Sequence, residues 1–91
     1  MSIPPLFVYH PTNPGYMLNS KYKTLSVGTL FPLIEKWYKN PKNAFLSFWI
    51  EDTQYFYANT HKMLHKYINS SLEHITESDF LKDLINWKEE A

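Results

Sequence analysis

The chain has 91 residues, as many basic as acidic side chains, 44% hydrophobic and 18% aromatic residues, and no cysteine. That is enough for one modest core in a single domain, residues 1–91, and too apolar for a disordered chain. It excludes disulfides and thiolate metal sites and points to the cytoplasm, since the opening MSIPPLFVYH has neither a basic start nor a long apolar run.

The neutral total hides a split. Residues 1–72 hold seven lysines against Glu35, Glu51 and Asp52, whereas residues 73–91 hold six acids against Lys82 and Lys88. The acidic tail is expected to be a solvated helix, or to dock on the basic part of the chain or on a second copy. Arginine is absent altogether. Because its guanidinium is the usual bidentate reader of bases and phosphates, nucleic acid is disfavoured as a partner.

In chain order, Leu6–His10 reads as a short strand after Pro4-Pro5. Asn13-Pro14-Gly15-Tyr16 is a type II turn, with proline setting φ at the second position and glycine taking positive φ at the third. Lys21–Val27 alternates polar and apolar residues and reads as a second strand. Gly28-Thr29 opens a helix whose stripe is Leu30, Leu33, Ile34, Trp37 and Tyr38. Pro32 is expected in its first turn, and Pro41 ends it.

Next come two strands, about Ala44–Glu51 and Gln54–Ala58, that carry six aromatic rings between Phe45 and Tyr57. A two-residue connection at Asp52-Thr53 puts Leu46, Phe48, Ile50, Tyr55 and Tyr57 on one face. It puts Phe45, Ser47, Trp49, Phe56 and Ala58 on the other. Asn59 or Thr60 is then expected to cap a second helix running to about Ile75 with Leu64, Tyr67, Ile68, Ser71, Leu72 and Ile75 inward. Thr76-Glu77-Ser78-Asp79 begins a third, with Phe80, Leu81, Leu84, Ile85 and Trp87 on its apolar side. The expected fold is α+β, order β(β)αββαα, a small antiparallel or mixed sheet of three to four strands with helices packed on one face.

Candidate chemistry is sparse. With only Gly15 and Gly28, phosphate-binding and dinucleotide-binding loops are absent, and so is a nucleophile elbow. Glu51 and Asp52 sit together at a hairpin tip, where water keeps carboxylates ordinary. His61 and His65 have the spacing of a zinc-binding helical pair. Lys62 stands where the protease signature has glutamate, no third ligand is spaced to join them, and so no metal or other cofactor is expected. The function expected is therefore a non-catalytic binding protein, inhibitor-, immunity- or adaptor-like. It would hold a protein partner, or a second copy as a homodimer, through the aromatic hairpin with Trp49, Tyr55, Tyr57 and Tyr16 as contacts. The alternative is a binder of a nucleotide or other small anion, held by Thr60, His61 and Lys62 at the second helix N-terminus.

Overall fold

The computed structural model describes residues 3–40, 42 and 46–90. Two short antiparallel strands open the chain, β1 (Phe7–Tyr9) and β2 (Tyr16–Leu18), with Phe7 opposite Leu18. The turn before β2 needs its glycine, because Gly15 has φ of 110°. A Cβ there would also meet the Trp49 ring at 3.5 Å.

The expected second strand at Lys21–Val27 does not form. Asn19 caps a 3₁₀ helix (Ser20–Thr24) instead, accepting the Lys21 backbone N–H at 3.1 Å. Helix α1 (Val27–Tyr38) follows, capped by Ser26, whose Oγ accepts the Thr29 N–H at 3.3 Å. Pro32 is its sixth residue rather than part of the first turn, so one helical hydrogen bond, to the Gly28 carbonyl, is missing on the exposed side.

Four strands come next in one meander: β3 (Leu46–Ile50), β4 (Thr53–Ala58), β5 (Met63–Ile68) and β6 (Ser71–Ile75). Helix α2 (Glu77–Glu89) closes the chain with the expected capping box of Thr76 and Asp79. The sheet runs β1-β2-β3-β4-β5-β6, antiparallel throughout except for β2 and β3, which are parallel across the α1 crossover. The fold is thus α+β with two helices on a six-stranded mixed sheet, where three to four strands and three helices were expected. Pro41, Ala44 and Phe45 lie outside the described residues.

The largest correction is the expected helix from Asn59 to Ile75, which is the β5–β6 hairpin. Leu64, Tyr67, Ile68, Leu72 and Ile75 satisfy helical spacing, but Asn69 and Ser70 have φ of 51° and 66° and form a two-residue left-handed turn. Such a turn matches the right-handed twist of a strand pair and breaks a helix. Serine adopts this conformation at a cost that glycine avoids. Ser70→Gly is therefore expected to stabilise the fold by about 0.5–1 kcal/mol and raise the thermal midpoint by a few degrees. An unchanged or lower midpoint would mean that Ser70 is unstrained.

Both helices cover the same side of the sheet. Leu30, Phe31, Ile34 and Tyr38 of α1 and Phe80, Leu84 and Trp87 of α2 are buried against Leu18, Phe48, Ile50, Tyr55, Tyr57, Leu64 and Ile75. The stripe of α1 is rotated from the expected one, with Phe31 inward and Leu33 outward at 42% exposure. The acidic α2 docks on its own domain. Lys88 Nζ donates to the Lys23 carbonyl at 2.5 Å and also to that of Leu25, which ties the helix end to the 3₁₀ segment.

Candidate interaction surface

The β3–β4 connection is Glu51-Asp52, with Ile50 opposite Thr53 and Phe48 opposite Tyr55. This shifts the pairing by two residues from the expected one, which leaves every side chain on its expected face. Phe48, Ile50, Tyr55 and Tyr57 point to the helices, and Ser47, Trp49, Phe56 and Ala58 point away.

Alternation carries that division across the sheet. The outward positions are Val8 on β1, Met17 on β2, Ser47 and Trp49 on β3, and Gln54, Phe56 and Ala58 on β4. On β5 they are Met63, His65 and Tyr67, and on β6 Leu72 and His74. No described element packs over them. Met63, Tyr67 and Leu72 are 44%, 44% and 41% exposed, and the others except His74 are part-covered by one another.

The register builds two rows. Val8, Met17, Trp49 and Gln54 run side by side, and the Tyr67–Leu72 pair extends the line on the far strands. Ser47, Phe56, His65 and His74 form the second row.

This water-facing side carries no Lys, Asp or Glu at any of its outward strand positions. The charged strand residues point the other way. Lys66 and Glu73 lie on the helix side, where Lys66 Nζ pairs with Asp83 of α2 at 2.8 Å. A solvated sheet face is normally the polar one. Here Val8, Met17, Trp49, Phe56, Ala58, Met63, Tyr67 and Leu72 occupy it beside the polar Ser47, Gln54, His65 and His74, an apolar share that is high for a solvated face.

The expected contact residues are dispersed by the structure. Tyr55 and Tyr57 are 2% and 4% exposed, inside the core, and no partner reaches them. Burial raises the Tyr55 hydroxyl pKa, and its hydrogen bond to Asp83 at 2.7 Å adds to that. Tyr16 is exposed on the helix side, stacked on Tyr9 at 5.1 Å and edge-on to Trp37 at 6.4 Å.

Trp49 alone of the four lies on the uncovered face, and it has a structural duty there. Its indole N–H donates to the Pro14 carbonyl at 3.1 Å, and its ring lies 5.0 Å from His10. His10 is buried and accepts at Nδ1 from the backbone N–H groups of Thr12 and Asn13, so Nε2 carries the proton and donates to the Glu51 carbonyl at 2.8 Å. The β1–β2 loop and the β3–β4 tip are thereby clasped around Trp49. Phe56, Tyr67, Leu72, Met17 and Met63 are the surface residues that the sequence reading missed. For the last four, the signal is the strand alternation of β2, β5 and β6, which turn residues and helical spacing mask in the sequence.

The expected anion site loses its basis. Thr60, His61 and Lys62 form an exposed tight loop between β4 and β5, with Lys62 at φ of 53°, and no helix starts there. The His61–His65 pair is likewise split between that loop and β5. His65 instead faces His74 across the hairpin, ring centres 5.8 Å apart, with its Nδ1 buried and unpartnered. Among the described residues no three His, Cys, Asp or Glu side chains converge as a metal site. No described helix is long and apolar enough to cross a membrane. The chain matches no protein-family model, no curated protein and no solved structure.

Proposed function

We propose that this is a non-catalytic binding domain that holds a protein partner against the uncovered face of its sheet. One observation carries the reading. Among the described residues, the face without a covering layer is the one without Lys, Asp or Glu, and it presents Trp49, Phe56, Tyr67, Met17, Met63 and Leu72 together. Aromatic residues and methionine are enriched at interface centres, and Lys, Glu and Asp are depleted there. A rigid sheet also pays little conformational entropy on docking. The partner is a different protein or a second copy of this chain. A cysteine-free chain suits the reducing cytoplasm.

The double variant Tyr67→Lys, Leu72→Lys tests the reading. Both side chains are half exposed and lie outside the core, so circular dichroism and the thermal midpoint should stay close to wild type. Sedimentation of the purified chain shows whether it self-associates, and affinity capture isolates any other partner. The variant is expected to weaken either complex by about a hundredfold or more, as burying two unpaired charges demands. A complex that forms equally well with the variant would remove the sheet face from the interaction.

A further inference from the structure

A second feature lies on the helix side, clear of the sheet face. The amino-terminal arm, the 3₁₀ segment and the outer flank of α1 enclose an open groove of about 720 Å³. Its walls are Ile3, Pro4, Leu6, Leu25, Leu33 and Trp37, and its polar margin includes Lys21 and Lys36. The rotation of α1 makes this groove. With Phe31 turned inward, the helix keeps Leu33 on its flank, half exposed, above an apolar floor.

The arm that forms one wall is built in rather than draped. Tyr22 OH donates to the Pro4 carbonyl at 2.5 Å, Asn19 Nδ2 to that of Pro5 at 2.9 Å, and the Asn19 N–H to that of Leu6 at 2.9 Å. The groove thus keeps its shape without an occupant, and its volume falls among small-molecule sites of about 300–1,000 Å³.

Its charge is one-sided. Among the described residues no acid lines the groove and neither Lys21 nor Lys36 makes an ion pair, whereas Lys23, Lys39 and Lys66 each have a carboxylate. An apolar trough with two uncompensated cations at its margin is complementary to a molecule with an apolar body and a negative head. We propose that the groove binds a long-chain carboxylate. The alkyl chain lies along Leu6, Leu25, Leu33 and Trp37, and the carboxylate sits at the lysine margin.

Titration of the ¹⁵N-labelled chain with dodecanoate, and separately with dodecyltrimethylammonium, tests this with equal tails and opposite heads. Dodecanoate is expected to shift the amide signals of Leu25, Leu33 and Trp37 with a dissociation constant on the order of 100 µM. The ammonium should bind roughly tenfold more weakly, and added salt should narrow the gap. Leu33→Asp should abolish dodecanoate binding. Lys21→Glu with Lys36→Glu should weaken it by about tenfold or more while leaving the ammonium no weaker.

No shift at groove residues up to about 2 mM dodecanoate would overturn the proposal. Equal binding of the two heads would overturn the carboxylate assignment. Shifts centred on Phe56, Tyr67 and Leu72 would move the alkyl chain to the sheet face. Self-association lost in Leu33→Asp would make a second copy the occupant instead. The sheet-face double variant should bind dodecanoate as wild type does, which keeps this test separate from the preceding one.

Discussion

Phe48→Ala is expected to remove about 3–5 kcal/mol of stability. A 91-residue domain holds about 5–14 kcal/mol in all, so the variant should be largely or partly unfolded at 37 °C. Phe48 is fully buried at the middle of the sheet, and its ring is the hub of the aromatic core. It stacks on Tyr55 at 5.4 Å and on Tyr38 at 6.0 Å. It meets Phe7, Trp37 and Phe80 edge-on at 5.6, 5.9 and 6.0 Å. One deletion therefore loosens β1, β4, α1 and α2 together, and neighbours this large have little room to collapse into the void. Urea denaturation measures the loss. Phe48→Leu, which keeps most of the volume, should recover more than half of it. A loss under about 1 kcal/mol for Phe48→Ala would show that the ring is not central to the core.

Asp83→Ala is expected to cost about 1–3 kcal/mol, because one carboxylate oxygen serves two donors. Asp83 accepts from Tyr55 OH at 2.7 Å and from Lys66 Nζ at 2.8 Å, with three quarters of its side chain covered. Removing it strands a buried hydroxyl and a half-buried ammonium, whereas Tyr55→Phe removes one donor and leaves the ion pair. The double variant Asp83→Ala, Tyr55→Phe should then be less destabilised than the sum of the two singles. Strict additivity would mean that the bond is not formed in solution.

The same residue predicts a pH dependence. Burial, then the Asp83 hydrogen bond, raises the Tyr55 pKa above the ordinary 10.0, so the folded state holds this proton where the unfolded chain releases it. Its stabilising contribution is fully present below pH 10.0 and is lost as pH climbs above that value. Tyr38 is raised in the same direction, first by burial and then by Glu35. Wild type should lose stability above about pH 10, and Tyr55→Phe should flatten that fall. An equally steep alkaline loss in Tyr55→Phe would assign it to other groups.

The parts of this fold legible in the sequence are those set by near neighbours. Thr76 caps a helix, Pro14-Gly15 turns the chain, and the alternation around Phe48 sorts side chains onto two faces even though the connection is Glu51-Asp52 rather than Asp52-Thr53. The Ser26 cap was not legible, because Ser26 also fits the alternation of Lys21–Val27. The β5–β6 hairpin was not legible, because apolar residues at Leu64, Tyr67, Ile68, Leu72 and Ile75 fit a helix and a strand pair alike. Pairing with β4 decides between them, since Tyr57 opposite Leu64 and Tyr55 opposite Lys66 complete the sheet. The candidate surface was legible only in outline. The aromatic hairpin does carry an unburied face, but Tyr55 and Tyr57 lie on the covered one, and Tyr67 and Leu72 come from β5 and β6, whose apolar spacing also fits a helix.

The sequence alone was enough for an aromatic, cysteine-free α+β chain with six of its nine acids in residues 73–91 and a capped last helix, because composition, caps and turn residues act over a few bonds. Which side of the sheet the helices cover, that the charges follow them and leave the other side bare, and that Leu33 opens a groove beside two lysines were decided only by tertiary structure. Those outcomes depend on strand order and on the rotation of α1, which arise from contacts between residues far apart in the chain.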